Sequence, residues 1–215
     1  MEVRTPDMLY DAIEKEYIWR IDELSSYKES VKKAPNKIMR NTLIRGGVTI
    51  LYAHWEGFIK KVADLYYEFV SYQKHIIGDL SNCFVSIILR ADLQQLTDSK
   101  KLKTHNEIIA SWIDKKETVA YFSTTSPIKT SNLNFTVFED VCVMMGIDSK
   151  QFELKKHFID KKLVESRNTI AHGNFLQVED KDFYDMYTKV IDELIAPFKT
   201  EVLNAVALKK YLRNG

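Results

Sequence analysis

Residues 51–70 read LYAHWEGFIKKVADLYYEFV, and the spacing of their apolar side chains decides the fold. Leu51, Trp55, Phe58, Val62 and Leu65 fall three or four positions apart, and Ile44 and Val48 extend the stripe upstream. That period is one face of a helix; a half-buried strand would alternate every second residue. A long helix is therefore expected from near Asn36 through this stretch.

Working outward, Leu9, Ile13, Tyr17, Ile21 and Leu24 repeat at the same period until Pro35, so a first long helix should pair antiparallel with the second. Gly46 and Gly47 interrupt the second pattern at a cost of about 1 kcal/mol each relative to alanine, and call for a close neighbouring helix or a kink. Downstream, LSNCFVSIILRADLQQL (80–96) reads as one helix and THNEIIASWI (104–113) as a short one. Residues 114–134, rich in Ser and Thr, read as an inserted polar loop, either a variable surface insertion or a functional segment with room for a short hairpin. FTVFEDVCVMMG (135–146) reads as a short helix ending at Gly146, followed by a helical run from about Gln151 or Ile159 to His172. The last helix, beginning near Asp180, is expected to bend at Pro197. These elements predict an all-α fold in one helical domain over 1–215.

Composition agrees: seven Gly and four Pro in 215 residues are few, and 45% hydrophobic residues suffice for a core. Thirty-one Lys and Arg against 30 Asp and Glu give a net charge of +1, so contact with a polyanion must come from a local patch. Cys83 and Cys142 lie in apolar stretches, which suits reduced core thiols, and no zinc-type Cys/His spacing occurs. The acidic start MEVRTPDMLYDAIEKEY lacks the apolar run of a signal peptide, and no stretch reaches about 18 apolar residues, so a cytoplasmic protein without a membrane segment is expected.

The best local patch is KQFELKKHFIDKKLVESRNTIAHG (150–173). Lys150, Lys155, Lys156, Lys161, Lys162 and Arg167 outnumber Glu153, Asp160 and Glu165, leaving an excess of +3. This is either an RNA-contacting surface or a solvated helix face with ordinary i, i+4 pairs. It ends in Arg167, Asn168 and His172. A guanidinium suits phosphate oxygens, and an imidazole exchanges a proton near neutral pH. Those are the groups that RNA cleavage by its own 2′-hydroxyl requires, and that chemistry needs no metal or cofactor. Gly173 follows as a helix C-cap.

RNTIAHG (167–173) resembles the arginine, polar, x3, histidine motif of the HEPN superfamily (higher eukaryotes and prokaryotes nucleotide-binding). LYAHWEGFIKKVADLYYEFV is similar to the second helix of a bacterial branch often found beside restriction and phage-defence genes. The resemblance implies an HEPN-like bundle and a metal-independent endoribonuclease. It further implies a homodimer whose two motifs meet at the dyad, and 2′,3′-cyclic phosphate and 5′-hydroxyl products. Arg167 and His172 would be catalytic, with Asn168 orienting the site. Such proteins also serve as toxins paired with an antitoxin, frequently a nucleotidyltransferase. A catalytically silent module binding a nucleotide or a partner protein is the competing expectation.

At about 100° per residue, Arg167 and His172 point about 140° apart on a regular helix, so either His172 lies past the last turn or two copies share the site. His54, at the edge of the apolar stripe, reads as a core histidine or as a partner of the site. Glu56, toward the polar side, is placed to hold Arg167 or a lysine. Most aromatics read as core, and Tyr184 and Tyr187 in the last helix are the candidates for stacking on RNA.

Overall fold

The computed structural model describes residues 2–122 and 132–214. Two long antiparallel helices form its spine. Helix α1 (Pro6–Lys32) opens with Thr5, whose side chain accepts the Met8 N–H at 3.2 Å, and with Pro6 in the first turn. Helix α2 (Lys37–Tyr72) opens with Asn36, whose Oδ1 accepts the Met39 N–H at 2.9 Å. Both starts lie where Pro35 and the apolar period place them.

The two glycines of α2 are explained by close approach. A Cβ on Gly46 would sit 2.7 Å from the Tyr27 hydroxyl, and one on Gly47 would sit 2.5 Å from the Phe183 ring. Tyr27 Oη donates to the Leu43 carbonyl at 2.6 Å, which locks α1 onto this part of α2.

The buried stripe of α2 is wrapped by five of the other helices: α3 (Asn82–Ile88), α6 (Phe135–Met145), α7 (Glu165–Ala171), α8 (Asp180–Thr188) and α9 (Ala196–Ala207). Trp55 lies against Phe138 with ring centroids 4.9 Å apart, and Phe138 against Phe198 at 5.8 Å. Buried Cys142 sits in the same core. Gly146 ends α6 in the left-handed region at φ 67°, as its position predicts.

One reading is corrected. Residues 80–96 are not one helix: the backbone leaves the helical region at Leu89 (φ −87°, ψ 4°), separating α3 from α4 (Arg90–Asp98). The two halves have different destinations, since α3 buries Phe84 and Val85 whereas α4 buries no residue and leans on α5 (Leu102–Lys115). Helix α5 runs to Lys115, and residues 116–120 beyond it pair with 75–78. Ile77 N–H donates to Thr118 O at 2.9 Å and Ala120 N–H to His75 O at 2.8 Å. Residues 123–131, where the rest of the expected insertion falls, lie outside the described residues.

The last helix changes winding before its proline. Lys189–Ile195 form a π-turn between α8 and α9. Pro197 offers no N–H and crowds the carbonyl four residues back, so a wider turn ahead of it accommodates the mismatch. A second π-turn, Phe158–Val164, leads into α7. Among the described residues no helix is long and apolar enough to cross a membrane.

Candidate active site

Helix α7 runs antiparallel to α2, so Arg167 meets the middle of α2 while Asn174 reaches Arg45 near its start. Three contacts hold the Arg167 guanidinium. Nη1 donates to Asn168 Oδ1 at 2.7 Å, Nη2 lies 3.9 Å from Glu56 Oε2, and the group rests 4.1 Å from the centroid of the Tyr52 ring. Its side chain keeps 24% exposure, so the guanidinium is anchored from beneath while remaining reachable from solvent. Glu56 also accepts from Lys60 Nζ at 2.9 Å, so it fills both roles expected of it, holding Arg167 and a lysine.

Tyr52 beneath the arginine is buried, and its hydroxyl accepts the Leu133 N–H at 2.7 Å. Burial pushes its phenol above the usual range, leaving a neutral hydrogen-bonding group and an apolar platform. Cation over ring contacts of this kind contribute about 0.5–1 kcal/mol at partly exposed sites.

His172 closes α7. Its N–H still donates to Asn168 O at 3.0 Å, so its backbone follows the helical path to that point. Gly173 then turns into the left-handed region at φ 78°, and Asn174 N–H reaches back to Thr169 O at 3.0 Å, a Schellman closure. The imidazole is exposed, and no hydrogen bond or ion pair engages it among the described residues. Arg167, Asn168 and Glu56 are thus brought together, with His172 at the free end of the same short helix.

Other expected residues go elsewhere. On α2, His54 and Glu56 are about 200° apart, so they face different neighbours. His54 is buried against α1, with Nε2 3.0 Å from Glu23 Oε2 and its ring 5.3 Å from Trp19, and it touches none of the motif residues. This matches the core-histidine reading. Lys155 pairs with Glu193, Lys161 pairs with Glu165 at 3.1 Å, and Lys156 sits 5.7 Å over the Phe135 ring. Lys162 is exposed. The basic run is therefore laced in part into the bundle by ordinary pairs. Tyr187 bonds Ser25 Oγ at 2.9 Å with Lys28 over its ring at 4.1 Å, and Tyr184 meets Phe183 edge to face with ring centroids 5.5 Å apart. Tyr187 is thereby tied to α1 rather than free to stack.

Sequence reading missed Tyr52 and Arg45. Their signal lay in α2 itself, because Arg45, Tyr52 and Glu56 recur at the spacing of one helix face, away from the His54 side that meets α1.

A helical bundle that buries one long α2 and presents a short helix ending in arginine, asparagine and histidine defines the class. The family model described as RiboL-PSP-HEPN matches residues 15–204, and the chain belongs to this family. Membership points to an RNA-related role. No curated protein and no solved structure matches the chain.

Proposed function

We propose that this protein is a metal-independent endoribonuclease in which the 2′-hydroxyl of the substrate attacks the adjacent phosphorus. The P–O5′ bond then breaks, leaving a 2′,3′-cyclic phosphate and a 5′-hydroxyl. His172 takes the 2′-OH proton or delivers one to the departing 5′-oxygen, and Arg167 stabilises charge on the phosphorane. The observation that carries this reading is the 2.7 Å hydrogen bond that Arg167 Nη1 donates to Asn168 Oδ1, which restrains the guanidinium on the short helix that an exposed His172 caps. Asn168 is a positioning residue, acting through Arg167.

A shared site between two copies is part of the proposal. His172 is the cap residue just past α7 and its N–H still donates to Asn168 O; on a continued regular helix Arg167 and His172 would point about 140° apart, which favours a site completed by a second copy. A toxin or anti-phage effector restrained by an antitoxin fits such an enzyme, since unrestrained RNA cleavage would harm its own cell. The Glu56 pair favours a second reading: with Arg167 partly neutralised at 3.9 Å, a silent module would bind a nucleotide or protein partner instead.

Cleavage of a mixed RNA pool in EDTA separates the two. The active reading expects wild-type cleavage and a loss of about 10²–10⁴-fold in His172→Ala, with unchanged circular dichroism. Intact RNA under wild-type enzyme, or cleavage that appears only with added divalent cation, rejects it.

A further inference from the structure

Three residues beyond His172, the Phe175 side chain is 77% exposed. It does not lie on a loose tail. The Schellman closure fixes the chain through Asn174, and Arg45 Nη2 donates to the Asn174 carbonyl at 3.1 Å. The same guanidinium lies 5.5 Å from the centroid of the Phe175 ring. Farther along, Arg40 Nη1 meets Asp180 Oδ2 at 3.0 Å, so the segment from 174 to 180 is strapped across the first turns of α2 by two arginines. An aromatic ring held in place, backed by a cation and open to solvent, is a platform for a nucleobase.

We propose that Phe175 stacks an unpaired base flanking the scissile phosphate, with Arg45 as the positioning residue that fixes the ring, so that the substrate is single-stranded RNA. This deepens the proposed ribonuclease reading and rests on it for the place of the phosphate. A base within a duplex has both faces covered and is not available to the ring, which makes strandedness the specificity that Phe175 confers.

The test is binding of a fluorescein-labelled, mixed-sequence oligonucleotide of 2′-O-methyl nucleotides, which lacks the attacking hydroxyl and survives the enzyme. Single-stranded probe is expected to bind wild type about 5- to 100-fold more tightly than Phe175→Ala or Phe175→Leu, with Phe175→Trp restoring affinity. The duplex form should bind weakly and respond to none of these changes. Leucine preserves an apolar contact, so Phe175→Leu binding like wild type overturns the proposal. So does failure of wild type to bind the single strand. A dimer that dissociates in Phe175→Ala and is kept in Phe175→Leu, together with wild-type affinity, would instead assign the ring to an interface between copies. Cleavage in EDTA is scored separately. Aromatic-dependent binding without cleavage sinks the nuclease and leaves the platform, whereas cleavage with unchanged KM in Phe175→Leu sinks the platform alone.

Discussion

Arg167 and Asn168 are neighbours in sequence, and their hydrogen bond restrains the guanidinium on the surface of α7. Replacing Asn168 with alanine removes that restraint while keeping the charge, and should lower kcat about tenfold with little change in melting temperature. Steady-state kinetics beside thermal unfolding check the split. Tyr52 should behave in the opposite way. Phenylalanine there keeps the ring under Arg167 but strands the buried Leu133 N–H, so Tyr52→Phe should cost about 1–3 kcal/mol of stability and leave kcat nearly unchanged. His54 gives the fold a pH dependence. Burial, outweighing the raising effect of Glu23 and aided by Arg20, holds its imidazole below the usual range. As pH falls through about 6.5 the unfolded chain protonates at His54 before the folded one, so this contribution is full above that pH and declines below it. Denaturant titrations at several pH values should show that decline, and His54→Gln should flatten it.

At the scale of elements, α2 is the piece on which the others depend, and its glycines are its most constrained points. Alanine at Gly47 gains helix propensity of about 1 kcal/mol but drives a methyl into Phe183 and Tyr27. Net destabilisation of about 1–3 kcal/mol is expected, read as a lower melting temperature. The helices of the spine were legible because a 3.6-residue period needs only side-chain polarity to be seen, and Thr5 and Asn36 cap where Pro35 and Pro6 punctuate the chain. The break at Leu89 was not, since LSNCFVSIILRADLQQL carries no glycine or proline there, and only the partners of each half separate α3 from α4. Pairing of 116–120 with 75–78 was hidden for a related reason: long-range backbone hydrogen bonds leave little trace in local composition. Within the site, Arg167, Asn168 and Glu56 could be read from residue type and helical phase. The charge of Lys155 and Lys161 could be read too, but the partners Glu193 and Glu165 that occupy them were visible only in space, or, for Glu165, as an i, i+4 pair.

Across the whole molecule, the proposed reaction asks for something that one copy does not offer along a regular helix: a guanidinium and an imidazole aimed at the same phosphate. If two copies share the site, Arg167→Ala and His172→Ala should each be inactive, and their equimolar mixture should recover about a quarter of wild-type sites through mixed dimers. A mixture as inactive as its components places both groups in one chain. The chemistry of the cut ends is more direct still, because attack by the 2′-hydroxyl fixes what remains on each fragment whatever the RNA target. Mass spectrometry of fragments produced by wild-type protein in EDTA should find 2′,3′-cyclic phosphate and 5′-hydroxyl ends, both absent with His172→Ala. Fragments bearing 3′-hydroxyl and 5′-phosphate ends would contradict the account.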